Sequence, residues 1–245
     1  MLVIVLICGL FFVLFLFKYV NSGEDKDVSK SLFMLVCDKV DLKPYDVIIG
    51  SKKGYIKNSL LDMPNLFVYG ESNSRFNFMN SILCTLLKDS ADLKFLIITR
   101  NNSYDCFSNI SSLYVPIFKN DYTSGIDTAL SLISIRKKEF IKNKVSNFEE
   151  YNKNFSSKIN RVLVIYDGNL DNLDSLKNIA KEGFDVGVHL VLSTSSDFTN
   201  SSKYFPVQVS FENDDDILYK KGTDADRLKY FAISDDDISE ILKTH

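Results

Sequence analysis

The chain reads as an α/β protein with a mostly parallel sheet and helices on both faces. Three observations carry this. Runs at 66–69, 93–99, 162–166 and 188–193 are apolar almost throughout, as strands buried on both faces must be. Stretches between them, such as 76–88 and 122–140, place apolar residues at helical spacing. Strands alternating with helices call for crossover connections, and those favour parallel pairing.

In order along the chain, residues 2–17 come first, with no charged or strongly polar side chain. The run to Val20 would span about 28 Å as a helix, close to a bilayer core. Lys18 can snorkel and Tyr19 can sit at the interface. A signal peptide would need a basic n-region and a small-residue cleavage site; the former is missing and Ser22-Gly23 is a poor version of the latter. The expectation is one uncleaved transmembrane helix over 1–20. Lys18, Lys26 and Lys30 follow it and no basic residue precedes it, which puts the soluble domain in the cytoplasm. Residues 21–31 are polar and read as a linker, and 21–45 as linker and lead-in to a domain over 46–245.

Residues 46–50 make a short strand and 51–54 a turn. The strand at 66–69 leads to a helix over 76–88, where Met79, Ile82, Leu83, Leu86 and Leu87 form one apolar stripe. A strand at 93–99 follows, then one at 113–118 that Pro116 confines to an edge or a strand start. The helix over 122–140 ends among Arg136, Lys137, Lys138, Lys142 and Lys144. Cations suit a helix C-terminus, and they would also suit a phosphate backbone. The strand at 162–166 ends on Asp167, a helix covers 170–184, and 188–193 and 207–211 are the remaining strands. Ser234 caps a final helix over 235–243 with three Asp residues in its first turn. The acidic runs 212–216 and 235–237 read as solvated faces.

Composition narrows the chemistry. The chain has 245 residues, 45% hydrophobic and 25% charged, which is ordinary for a globular protein. Its net charge of -3 gives no overall basic field for nucleic acid. Cys8, Cys37, Cys84 and Cys106 form no C-x-x-C pair, so neither a disulfide framework nor a zinc site is indicated. His189 and His245 are the only histidines, and His189 lies inside an apolar strand as a core residue would. No metal ligands and no catalytic residues are assigned.

The most informative segment is 64–84, an apolar strand, a turn opening on Gly70, and a helix. A phosphate-binding P-loop has that setting, with Gly, four residues, then Gly-Lys-Ser/Thr. Gly70, Glu71, Ser72, Asn73, Ser74, Arg75, Phe76 and Asn77 occupy the eight positions. Arg75 stands for the second Gly, Phe76 for the Lys and Asn77 for the Ser/Thr. An apolar ring therefore replaces the ammonium that reaches the β/γ-phosphates, and an amide replaces the hydroxyl that binds magnesium.

From Asp46 onward the chain resembles the motor domain of the FtsK/SpoIIIE family of membrane-anchored DNA translocases. The lead-in from Leu61 to Gly70, the Asn147-Phe-Glu-Glu-Tyr-Asn152 stretch, Arg161 to Asp167, Gly187 to Thr194, and Phe205 to Phe211 fit in order. The resemblance implies a P-loop, RecA-like fold, an ATP and magnesium site, and rings assembled around DNA. In its terms Gly70–Asn77 is a degenerate Walker A segment and Asp167 the Walker B carboxylate. The acid expected beside Asp167 is Gly168, Ser195 replaces a Gln after Thr194, and Gln208 lies near an expected Arg. Type VII secretion and conjugative coupling ATPases share this fold.

Three functions compete. The first is a non-hydrolysing, membrane-anchored subunit or scaffold of a DNA-translocation, segregation or secretion machine. It would have no required cofactor, form homo- or hetero-oligomers with an active motor, and touch DNA only independently of sequence. The second is an active ATP-dependent translocase in which Arg75 substitutes as the phosphate-binding cation. The third is an interaction protein that binds neither nucleotide nor DNA.

Overall fold

A computed structural model describes residues 32–243 except 91, 101, 199–200 and 212–215. The transmembrane helix expected over 1–20 lies outside the described residues. Among these, no helix is long and apolar enough to cross a membrane.

Ten strands form one sheet: β1 (Asp46–Ser51), β2 (Tyr55–Ser59), β3 (Asn65–Tyr69), β4 (Leu93–Thr99), β5 (Phe118–Lys119), β6 (Arg161–Asp167), β7 (Val188–Thr194), β8 (Val207–Phe211), β9 (Asp216–Lys221) and β10 (Asp224–Lys229). Their order is β2-β1-β10-β9-β8-β3-β7-β6-β4-β5. The six strands from β8 to β5 are parallel, and β9, β10, β1 and β2 extend the sheet by antiparallel pairing. The mostly parallel α/β architecture is as expected.

Alternate residues of the central strands feed two separate cores, as the two-residue period of a strand requires. Leu66, Val68, Phe95, Ile97, Leu163 and Ile165 face one side. There they meet α1 (Leu32–Lys39), α2 (Ser72–Asp89) and α6 (Asp235–Leu242). Phe67, Leu96, Ile98, Val162, Val164 and Tyr166 face the other side. That side carries α3 (Tyr122–Asn143), α4 (Phe148–Asn154) and α5 (Leu173–Glu182). Helices thus cover both faces, and Met79, Ile82, Leu83, Leu86 and Leu87 of α2 are all buried.

Several expectations need correction. The lead-in holds α1, whose Phe33 and Val36 are almost fully buried. Residues 207–211 are not the last strand, because β9 and β10 follow as an antiparallel hairpin. Of the strand expected at 113–118 only Phe118 lies in one, β5, with a single bridge from Leu113 to Phe95. It does sit at the sheet edge, as Pro116 suggested. Asp237 is not a solvated acid. Its carboxylate accepts from the Ser234 amide (2.9 Å) while the Ser234 hydroxyl accepts from the Asp237 amide (3.2 Å), a capping box.

The basic end of α3 divides. Arg136 is buried and donates to the carbonyls of Val186 (2.7 Å), Gly187 (3.3 Å) and Asn160 (2.6 Å), tying α3 to the entries of β6 and β7. Burial pulls its pKa down to about 10. Lys137 pairs with Glu182 of α5, while Lys138, Lys142 and Lys144 are exposed. The Asn147-to-Asn152 stretch proves structural. Asn147 caps α4 through the Glu150 amide (2.9 Å), and the Tyr151 ring stacks between Phe140 and Phe155. The Asn152 amide clamps both backbone groups of Ile159 just before β6. His189 is fully buried beside Arg161, with Nε2 3.0 Å from the guanidinium. Burial, and then the Arg161 charge, depress its pKa to about 3, so it is a neutral core residue.

Candidate nucleotide site

The site lies at the carboxyl ends of β3, β6 and β7, where parallel α/β sheets hold their ligands. β7 separates β3 from β6, so Gly70 and Asp167 lie on either side of Ser193 and Thr194. The register pairs Tyr69 with Thr194 and Asp167 with Ser193.

Gly70 leaves β3 with φ +134°, and its amide donates to the Thr194 carbonyl (3.3 Å). A Cβ here would lie 3.0 Å from the Phe211 Cβ and 3.2 Å from its backbone nitrogen, so any other side chain would both strain the backbone and press on Phe211. The turn that follows is much shorter than expected. α2 starts at Ser72, four residues before the position read from periodicity, and Glu71 is its N-cap. The Arg75 amide already bonds the Glu71 carbonyl (3.3 Å). Residues 72–77 thus form the first turns of a helix rather than a loop. The apolar stripe hid this, because Ser72, Asn73 and Ser74 carry no helical periodicity of their own. Glu71 makes no side-chain cap to this helix end.

Three substituted positions have intrachain partners. Arg75 is buried; its Nε donates to Ser193 Oγ (2.9 Å), its Nη1 to the Gly70 carbonyl (2.6 Å), and its Nη2 lies 3.5 Å from Asp167 Oδ1. The Ser193 hydroxyl donates to the same Asp167 oxygen (2.8 Å). Phe76 packs edge-on against Tyr104 (centroids 5.1 Å apart). Asn77 holds both backbone groups of Ile233, accepting from its amide (2.8 Å) and donating to its carbonyl (2.7 Å). Ser74 is buried and Asn73 exposed.

Gly168 is also spoken for. A Cβ there would fall 2.6 Å from Cε1 and 2.9 Å from Cζ of Tyr122, whose ring rests on Tyr166 (centroids 5.3 Å apart). Tyr104 is fully buried near the Arg75–Asp167 pair. Burial first and the Asp167 carboxylate second push its pKa well above the usual value, with Arg75 opposing. Of the residues read from sequence, Gly70, Arg75 and Asp167 come together, while Phe76 and Asn77 turn to packing. Ser195 is exposed, and Gln208 is buried with a long contact to the Phe205 carbonyl (3.4 Å). Ser193, Tyr104 and Tyr122 were missed. Only Ser193 carried a signal, as the residue that parallel register sets opposite Asp167. Among the described residues, no cluster of three or more His, Cys, Asp and Glu side chains could hold a metal ion.

A scan of protein-family models gives no match, and a sequence search of curated proteins gives none either. Solved structures do match. The chain is similar to EssC (ATPases 2 and 3) from Geobacillus thermodenitrificans, with 15% identity and a TM-score of 0.69, over 84% of this chain and 49% of that one. It is similar to the pCW3 conjugation coupling protein TcpA, in its monomer form with ATPγS, with 19% identity and a TM-score of 0.60, over 84% and 72% of the two chains. The cytoplasmic domain of the type VII secretion ATPase EccC from Thermomonospora curvata gives 11% identity and a TM-score of 0.70, over 84% of this chain and 32% of that one. This chain spans about half the length of the EssC structure. At such identities the likeness is one of fold: the body of this chain has the fold of a P-loop ATPase domain of the FtsK/SpoIIIE type.

Proposed function

We propose that this chain is a membrane-anchored, FtsK/SpoIIIE-like P-loop domain that does not hydrolyse ATP. It serves as a subunit or scaffold in a DNA-translocation, segregation or secretion machine. The observation that carries this is the use made of positions 76, 77 and 168. A working site needs an ammonium on the phosphates, a hydroxyl on magnesium and a group that activates water. Phe76 is packed on Tyr104, Asn77 is spent on the Ile233 backbone, and Tyr122 covers the place where an acid at 168 would begin. These residues do not fit a catalytic magnesium nucleotide, and no hydrolytic step is assigned to them.

The matched EssC and EccC are ATPases, EccC of type VII secretion, and TcpA is a conjugation coupling protein. By analogy this chain works beside an active motor, with its body in the cytoplasm and residues 1–20 in the membrane. Exposed Lys138, Lys142 and Lys144 offer a sequence-independent contact to DNA. Purified full-length protein incubated with magnesium-ATP tests the reading. Turnover should not rise above background, and Asp167→Ala should leave that unchanged. Sustained hydrolysis that Asp167→Ala abolishes would refute it in favour of an active translocase. Affinity purification from native membranes should recover a motor with intact Walker motifs. Salt-sensitive DNA binding separates a translocation partner from a pure interaction protein.

A further inference from the structure

We infer that Arg75 is a built-in cation that stands in for the metal of the nucleotide site and closes that site with the chain's own charge. The identity of the site rests on the reading above; the chemistry rests on the contacts alone. In a working P-loop enzyme the Walker B carboxylate helps hold a metal that neutralises it. Here Asp167 is 7% exposed and its Oδ1 meets the Arg75 guanidinium and the Ser193 hydroxyl. A carboxylate buried that deeply needs a compensating charge. Arg75, itself 9% exposed, supplies one.

The guanidinium does more than neutralise. Its fork reaches the end of β3 through Gly70, β7 through Ser193 and β6 through Asp167, while its backbone belongs to α2. A planar group with donors on three nitrogens suits this bridging, and a lysine ammonium, a compact point charge, would not span the three acceptors in the same plane. The substitution at the second glycine position of the motif thus has a use. The side chain at this position satisfies the carboxylate at the end of β6. The strand ends are therefore held in one arrangement with no ligand.

Thermal and denaturant unfolding of the full chain, with Arg75→Ala, Asp167→Asn and the double variant, tests this. Arg75→Ala should be strongly destabilised, and adding Asp167→Asn to it should recover stability. The coupling should be at least tenfold in the unfolding constant, about 1.4 kcal/mol. Millimolar guanidinium or magnesium should raise the melting temperature of Arg75→Ala and leave the wild type unchanged. If Arg75→Ala does not fold but the double variant does, the inference stands. Additive effects, no response of a folded Arg75→Ala to either cation, or failure of both variants to fold would overturn it. Wild-type stabilisation by magnesium alone would do so too. ATP turnover by the wild type would sink the functional proposal separately, so the two failures are distinguishable.

Discussion

Replacing Gly168 by alanine measures how firmly the neighbourhood of Asp167 is closed. The added Cβ would lie 2.6 Å from Tyr122 Cε1, where ordinary contact begins at 3.4 Å. Tyr122 must therefore give way. Its ring rests on Tyr166 at 5.3 Å between centroids, and such pairs contribute about 0.5–1.5 kcal/mol. Overpacking a filled site costs about 1–3 kcal/mol. The atoms struck belong to the outer part of a ring rather than to backbone, which favours the lower half, about 1–2 kcal/mol. For a domain of this size that is roughly 2–8 °C in melting temperature. Circular dichroism during heating, with urea unfolding for the free energy, reads the change. In a Tyr122→Ala background the ring is gone, and Gly168→Ala should cost less than about 0.5 kcal/mol. A neutral Gly168→Ala, or an equal cost in both backgrounds, would refute the claim that Tyr122 occupies the place of the missing acid. On the same reasoning Gly168→Glu should lower stability without creating ATP turnover.

Asn77→Ala should strip both hydrogen bonds from Ile233, at about 1 kcal/mol each, and raise amide hydrogen exchange at Ile233 and along the start of α6 before the rest of α2. Gly70→Ala should cost about 1–3 kcal/mol from its positive φ, with the Phe211 contact adding to this, as urea midpoints would reveal. His189 makes stability depend on pH. Its folded pKa of about 3 lies below the usual 6.5, so the unfolded chain binds the extra proton. Stability should be level above pH 7 and fall as pH drops from about 6.5 toward 3, by at most about 1.4 kcal/mol per unit. His189→Gln should flatten the part of that slope above pH 5, where carboxylates contribute least.

The parallel core was legible because its strands are buried on both faces. Val162 to Tyr166 and Val188 to Leu192 have no solvent side, and a nearly continuous apolar run, interrupted here by the buried His189, is the pattern such a position calls for. The antiparallel hairpin of β9 and β10 was not. In β9 and β10, polar and charged residues such as Asp216, Lys220, Asp224 and Arg227 interrupt Ile217, Tyr219 and Leu228. Half-buried strands of that kind resemble loops until pairing supplies their second row of hydrogen bonds. Helix α1 escaped notice because eight residues show little periodicity, and its fit into the core against the α2 side is what buries Phe33 and Val36.

The site divides along the same line. Residue types alone identify Gly70 and Asp167 as the ends of two core strands, and they show that no ammonium, magnesium-binding hydroxyl or neighbouring acid stands at 76, 77 and 168. Chain order conveys that much because covalent spacing places these residues at the carboxyl edge of any such sheet. Where Arg75 points, what covers Gly168, and why Asn77 is an amide are decided by contacts separated by roughly 50 to 160 positions along the chain: Asp167 and Ser193 for the first, Tyr122 for the second, Ile233 for the third. Burial at those contacts makes each polar group find a partner, and only the folded sheet brings the partners within reach.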